Sequence, residues 1–241
     1  MDRGAYNMRR EKIANTEFVF KQLSWEEVIN DAAQLRFRVY CLERGFIAEK
    51  DYPDGRELDE YDEQSVHFGI YIENELVGYT RLVLNKEKGL PIFKYAPFVK
   101  DKMRGVEASD VAEISRLVIS KTFRRRKGDG AYYDAAAYVD NTRAPFRRIR
   151  PMVFGLYRAI YTYCKKNHIK WWLVLMEPSL WKLLSKTHIV FERIGDEVQC
   201  MGIVHPYRIK LDDVEKEMAF YHPHYFDYFT QDLDENLRPK I

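Results

Sequence analysis

The chain has 241 residues, 46% of them hydrophobic, with 39 Lys and Arg against 37 Asp and Glu. A chain of this length can bury roughly 70 to 75 % of its unfolded surface. Its apolar content and near-neutral charge exclude an intrinsically disordered protein and a global polyanion binder. Cys41, Cys164 and Cys200 form no close pair, which argues against a disulfide framework or a zinc knuckle and suits a reducing compartment. The start, MDRGAYNMRREKIANTEF, has no apolar core of signal-peptide length, and no later run approaches the ~20 apolar residues of a membrane span. The expectation is a cytoplasmic protein.

No repeat, low-complexity tract or Pro/Gly/Ser linker divides the chain, so a single domain over residues 1–241 is expected. TEFVFKQL alternates like a first strand. Ser24 then reads as an N-cap with Glu27 three residues on, a capping box that opens a helix through about Tyr40. A polar loop follows from Glu43 to Glu63. VHFGIYIE and LVGYTRLVL are two strands separated by Asn74-Glu75, a hairpin whose second strand places Val77, Tyr79, Arg81 and Val83 on one face. VAEISRLVI is a further strand, with Glu113, Ser115 and Leu117 alternating against Ile114, Arg116 and Val118.

Residues 121–150 are a basic insertion with nine Lys or Arg against three Asp, expected to be mobile with a short helix near Tyr132 to Val139. Pro151 sits in the first turn of a helix running to about Asn167, whose closing lysines suit the C-terminal dipole. KWWLVLM is a buried strand, Pro178 opens a helix, and IVFERIG and HPYRIKL supply two closing strands. The order predicts an α+β fold with one mixed central sheet flanked by helices. The aromatic tail, about residues 212–241, is expected to dock on the domain or on another subunit. Its His222 and His224 have no third ligand at matching spacing, so no metal is expected.

Charges inside strands need a counter-ion or a cavity. Glu57, Asp59, Glu60 and Asp62 fall within six residues, and Arg36 and Arg38 with the carboxylates of Asp59 and Asp62 could close one network with Arg81, Glu113 and Arg116, since a guanidinium matches a carboxylate with two hydrogen bonds. A structural ion-pair lattice and a polar pocket are both open readings. The apolar residues Phe154, Leu156, Tyr157, Trp171, Trp172, Leu173, Val174 and Trp181 read as core or as the lining of an apolar slot. The cysteines are expected to pack.

The ordered pieces LRFRVY, ELDEYD, GYTRL and EISRLVI resemble the acyl-homoserine-lactone synthases, a branch of the GNAT-like acyltransferases. By that resemblance Arg36, Tyr40 (usually Phe in the family), Asp59, Asp62, Arg81, Glu113 and Arg116 fall on characteristic charged and aromatic positions. The segment MEPSLWKLLSKTHIVFERIGDEVQCMGIVHPYRI is similar to exosortase (PEP-CTERM)-associated acyltransferases and to N-acyl amino acid synthases. Together the similarity covers about residues 17 to 211. Phe46 departs from a Trp that lactone synthases carry near the donor pocket. RRRKGDGA holds a Gly-rich pattern like the GNAT pyrophosphate turn, yet no helix follows it for about twenty residues.

The resemblance implies transfer of a fatty acyl group from an acyl-carrier-protein or CoA thioester to the amine of an amino acid or similar small acceptor, with no tightly bound cofactor. Acyl transfer to an amine needs a base, for which Glu113 is the candidate, directly or through a water. A backbone N–H of Leu117 or Val118, freed by a bulge, would stabilise the oxyanion. Arg116 joins them in the catalytic set, and Arg36, Tyr40, Phe46, Asp59, Asp62 and Arg81 form the substrate site. Arg124, Arg125, Arg126, Lys127, Arg147, Arg148 and Arg150 are expected to bind acyl-carrier protein. Nucleic acid is not an expected partner, and the lipid product offers a route to peripheral membrane contact. Two alternatives stand beside this reading: a lactone synthase using S-adenosylmethionine, and a catalytically silent module that binds acyl-carrier protein.

Overall fold

A computed structural model describes Tyr6 and residues 8–13, 16–121 and 149–241. Nine strands are found among the described residues. They are β1 (Arg9–Ile13), β2 (Thr16–Gln22), β3 (Ser65–Ile72), β4 (Glu75–Leu84), β5 (Val111–Ile119), β6 (Trp171–Met176), β7 (Glu192–Arg193), β8 (Val198–Gln199) and β9 (Ile203–Lys210). Along the main sheet the order is β1-β2-β3-β4-β5-β6-β9-β7, and β8 pairs with β9 off this path. The β5–β6 contact is parallel and its other neighbours are antiparallel, so the expected mixed sheet is present. The sequence reading missed β1 and β8, and of the strand it placed in IVFERIG the structure keeps only the two residues of β7.

The Ser24 and Glu27 capping box forms as expected, each side chain answering the other residue's backbone N–H. It opens a continuous helical stretch made of α1 (Trp25–Glu27), a π-turn at Val28–Ala32, α2 (Ala33–Phe37) and a second π-turn at Arg38–Glu43. The π-turns break the 3.6-residue period, a feature often associated with functional sites. The loop after it returns across the sheet, fastened by the Glu57 N–H donating to the Ala33 carbonyl at 3.0 Å. Two short helices, α3 (Ile92–Tyr95) and α4 (Val99–Lys102), join β4 to β5. Helices α5 (Ile149–Lys166), α6 (Pro178–Ser185), α7 (Leu211–Tyr221) and α8 (Pro223–Thr230) complete the chain.

Core packing divides by sheet face. One face carries α5 and the two C-terminal helices over Phe18, Phe20, Phe68, Leu82, Ile114 and Trp172. Gly155 makes this approach possible, because a Cβ there would stand 2.3 Å from the Phe20 ring. The aromatic tail docks on the same helix, with Phe154 against Tyr225, Tyr228 and Phe229. The other face carries two smaller clusters, one under α1 and α2 with Tyr79 and Val118, the other under α3 and α4 with Val83 and Leu173.

Two irregularities correct the sequence reading of faces. A register shift between Ile70 and Tyr71 leaves Val77 as an extra residue of β4. Val77 therefore packs with Leu82 in the α5-side core, while Tyr79 and Val83 lie on the opposite side. In β5, Tyr79 is opposite Val118 and Arg81 opposite Ser115, so three steps of β5 face two of β4. The bulge sits at Arg116, whose φ is 56°. This places Ser115 and Arg116 on one side of the sheet, where simple alternation had separated them.

The expected helix near Tyr132 to Val139 lies outside the described residues, as do Arg124 to Lys127, Arg147 and Arg148. Arg150, expected in the basic insertion, falls instead in the first turn of α5, which begins two residues before Pro151.

Candidate active site

The site begins where two strands part. β5 and β6 pair over three rungs, from Val111 with Trp171 to Glu113 with Leu173. Beyond them β5 stays with β4 as far as Ile119 and β6 with β9 as far as Met176. The wedge between them is a cleft of about 190 Å³ bordered by residues Glu113 to Ile119 of β5, Val174 to Met176 of β6 and Glu177 just beyond it. Tyr40, Arg44, Phe46, Pro91, Tyr95 and Cys200 line it on the α2 and α3 side, and Val153 and Tyr157 of α5 line it on the other.

Behind the cleft, three arginines and three carboxylates form one buried lattice. Arg36 donates through Nε to Glu57 and through Nη1 to Asp62 at 2.6 Å. Arg81 grips Asp59 with both terminal nitrogens at 2.6 and 2.8 Å, reaches Asp62 at 2.6 Å and donates through Nε to the Ser115 hydroxyl at 2.9 Å. Arg116 bridges Glu57 at 3.1 Å and Asp59 at 2.8 Å through Nη2. Arg36, Arg81 and Glu57 are 0% exposed. Ions can be held this deeply because each is paired with opposite charge, although Arg36 Nη2 finds no hydrogen-bond partner among the described residues. Burial raises the Asp62 carboxyl, but Arg36 and Arg81 outweigh it and hold the group well below the usual carboxylate range.

A neutral histidine closes the base of this lattice. His67 Nε2 donates to the Asp62 carbonyl at 2.9 Å, and its Nδ1 accepts from the Tyr79 hydroxyl at 2.8 Å. Burial lowers its pKa to about 4, so a second cation is not added beside Arg36 and Arg81. The sequence reading assigned neither His67 nor Glu57 to the site. Register held the signal for His67, since it stands opposite Arg81 in the hairpin. Glu57 was noted among the clustered acids, and its part in the lattice depends on the path of the loop.

Glu113 stands apart from the lattice. It is 2% exposed and accepts the Ile92 N–H through Oε2 at 2.7 Å. That contact replaces the direct pairing with Arg81 or Arg116 that its place among arginines had left open. Burial pushes its pKa up to about 8, against the Ile92 N–H and the cations of Arg81 and Arg116. A carboxyl of that pKa at a cleft wall can exchange a proton near neutral pH.

The remaining expected residues divide between wall and surface. Tyr40 lies under Arg116, with the guanidinium 5.6 Å from its ring centroid, and its hydroxyl is 3.5 Å from the Leu117 carbonyl at the bulge. Burial raises the Tyr40 hydroxyl to about 12, so it stays protonated. Phe46 stacks on Tyr40 with centroids 6.5 Å apart. Leu117 and Val118 follow the bulge and line the cleft. Arg38 falls outside the network, on an exposed face 4.0 Å from Glu75. Of the apolar residues read as core or slot, Tyr157 and Val174 reach the cleft. Phe154 and Trp172 are committed to the core. Cys41 and Cys164 pack, whereas Cys200 lines the cleft, where the Tyr95 hydroxyl donates to its sulfur. No group of His, Cys, Asp and Glu among the described residues is arranged to hold a metal ion.

Residues 35–132 match the model of the acetyltransferase (GNAT) domain. This stretch contains the second π-turn, the acidic loop, the hairpin and β5. Among curated proteins no sequence matches the chain. Solved structures match its fold. The acyl-homoserine-lactone synthase LasI is 16% identical over 86% of this chain and 95% of that chain, with a TM-score of 0.58. The CoA-dependent acyl-homoserine lactone synthase BjaI, solved with SAM and isopentyl-CoA, is 19% identical over 86% of this chain and 82% of its own, with a TM-score of 0.56. FeeM, an N-acyl amino acid synthase from uncultured soil microbes, is 15% identical over 88% of this chain and 96% of its own, with a TM-score of 0.55. The protein has a GNAT-like, acyltransferase-type fold.

Proposed function

We propose that the protein is an N-acyltransferase that moves a fatty acyl group from a thioester to the amine of an amino acid or similar small acceptor. The observation that carries the reading is the place of Glu113, a buried carboxyl on the cleft wall three residues before the bulge at Arg116. The acceptor ammonium gives its proton to ionised Glu113, directly or through one water, and the free amine attacks the thioester carbonyl. The resulting oxyanion is held by the backbone N–H of Leu117 or Val118, where the bulge interrupts the ladder. The C–S bond then breaks and the thiol leaves with a proton.

The splay gives the acyl chain a path through the sheet. Val174 and Met176 belong to the α5-side core while Glu113 borders the clusters of the opposite face. A chain entering between the strands would meet Ile114, Val153, Tyr157, Val174, Met176 and Leu180. The three-arginine lattice supports the wall and sets the field at Glu113. Its own positive charges are met by Glu57, Asp59 and Asp62, so its role in this reading is to hold β5, the loop and α2 in register. Tyr40 and Phe46 contact the reacting groups.

The donor in this reading is an acyl-carrier protein or CoA, and the basic run of the sequence with Arg124 to Lys127, Arg147, Arg148 and Arg150 supplies charge that suits either one. No helix of the described residues is long and apolar enough to cross a membrane, and the reading places the reaction in the cytoplasm. The test supplies acyl thioesters with a panel of amino acids and, separately, S-adenosylmethionine, following thiol release and product mass. Transfer to an amino acid that Glu113→Gln abolishes supports the proposal. Release only with S-adenosylmethionine would move the assignment to lactone synthesis. Donor binding with no transfer to any acceptor would make the protein a binding module.

A further inference from the structure

The connection between β4 and β5 concentrates positive charge in a chain whose totals are nearly balanced. Between residues 86 and 104 there are six basic side chains, Lys86, Lys88, Lys94, Lys100, Lys102 and Arg104, against Glu87 and Asp101. Lys88 and Lys94 lie 3.7 and 4.0 Å from Glu63 and Glu60, whereas Lys100, Lys102 and Arg104 gather at α4, where Asp101 lies 3.0 Å from Arg104. These three basic side chains are exposed. Two aromatic side chains stand among them, Tyr95 at 39% and Phe98 at 40% exposure.

The surface is fixed in place and joins the cleft. Arg208 of β9 donates to the Lys102 carbonyl at 2.6 Å. Phe98 lies so close over Gly195 that a Cβ there would meet its ring at 2.2 Å. Pro91 and Tyr95, from the same connection, line the cleft wall facing Glu113. A partner seated on α4 would therefore hold a flexible arm within reach of the cleft mouth. Exposed cations add little to the stability of the chain itself, but a clustered field steers an oppositely charged partner and sets its orientation.

We propose that Lys100, Lys102 and Arg104, with Phe98 and Tyr95 as apolar contacts, form the docking surface for an acidic carrier protein that presents the acyl thioester on a tethered arm. This rests on the acyl-transfer reading and selects its donor: a protein-borne thioester is captured here, and a small thioester needs no such surface. The site is distinct from the basic insertion, which lies on the other side of β5 in sequence.

The test compares the full-length wild type with the triple variant Lys100→Glu, Lys102→Glu, Arg104→Glu, after a thermal melt shows that both fold. Each is given the same acyl chain on carrier protein and on pantetheine. Expected is a rise of about tenfold or more in KM for the carrier-borne donor, with a much smaller change for acyl-pantetheine. Wild-type KM for the carrier should also climb with added salt, and the variant's should do so less. Equal effects on both donors, or none on either, would overturn the proposal.

Direct binding of unacylated carrier protein separates this proposal from the reaction itself. Carrier binding that the triple variant loses, with no transfer detected, would uphold the surface and sink the acyltransferase reading. Transfer from acyl-pantetheine without measurable carrier binding would do the reverse. Binding of anionic vesicles through these residues in place of carrier would also overturn the assignment.

Discussion

Two clusters of buried charge can be compared within this fold. At the cleft, Arg36, Arg81 and Arg116 meet Glu57, Asp59 and Asp62. On α5, Arg158 pairs with Glu11 of β1 and Asp232 beyond α8, and its guanidinium lies 4.5 Å from the Tyr228 ring centroid. Both are dense and hydrogen-bonded, and each ties together segments far apart in sequence. The difference is in what borders them. The first backs onto a strand bulge, a splayed sheet and a carboxyl with a raised pKa, while the second clasps the two ends of the chain to one helix. Burial of ions alone does not separate the two; the cleft and the buried Glu113 carboxyl beside the first do.

The comparison is sharpened most by Glu113→Gln. Replacing a general base should lower kcat by about 10²- to 10⁴-fold, while a melt of the variant should show a fold as stable as the parent or more so at pH 8, because an ionisable group has left an apolar site. A variant that turns over normally would reduce the cleft cluster to the same structural status as the one on α5.

Breaking either cluster should cost stability, but only one should cost activity. Asp62→Ala strands the buried Arg36 and Arg81, at about 3–5 kcal/mol, whereas Arg158→Ala leaves the partly exposed Glu11 and Asp232 to water and should cost less, both measured by urea unfolding. Under conditions where both variants remain folded, only the first should lose acyl transfer. Equal losses of turnover per folded molecule would remove the distinction.

Stability against pH should run in opposite senses at two ends of the scale. His67 has a folded pKa of about 4, below its unfolded value of 6.5, so its contribution is complete at neutral pH and lost as pH falls through that window. Asp62, lowered by Arg36 and Arg81, adds a further loss in stronger acid. Glu113 is raised to about 8 from 4.5; the native state holds its proton longer, and stability falls as pH rises through this interval. Melts from pH 5 to pH 9 should therefore decline at the alkaline end in the wild type and less so in Glu113→Gln.

The smallest effect compares two tyrosines of one helix. Tyr161 donates to Glu215 at 2.9 Å, whereas the buried Tyr157 hydroxyl at the cleft has no hydrogen-bond partner among the described residues. Tyr161→Phe should cost about 1 kcal/mol, and Tyr157→Phe should be neutral or stabilising. A larger loss at Tyr157 would show that its hydroxyl is satisfied in solution.

The amount legible in the sequence differs between these regions for physical reasons. Local rules found the Ser24–Glu27 capping box, Pro151 and Pro178 in first helical turns, and the hairpin, although its turn falls at Glu73 and Asn74 with Glu73 at φ 55°. Ordered motifs found Arg36, Asp59, Asp62 and Arg81, because the fold brings together groups that the chain separates by up to 45 positions. Period-two alternation failed at Val77 and Arg116, since one extra residue in a strand reverses every side chain after it. Long-range closure was hidden as well: Tyr95 and Cys200 meet across the cleft only after α3 and the β8–β9 turn have packed. The clasp at Arg158 depends on contacts between the two ends of the chain, which no local pattern announces.

The ionisation of Glu113 is tested most directly by the pH dependence of kcat/KM for acyl transfer, using an acceptor amine whose own pKa lies below the range scanned. The account predicts a rate that climbs with pH and levels off above about 8 in the wild type, with this rise absent from the residual rate of Glu113→Gln. A flat wild-type profile from pH 6 to pH 9, or the same rise in the variant, would contradict it.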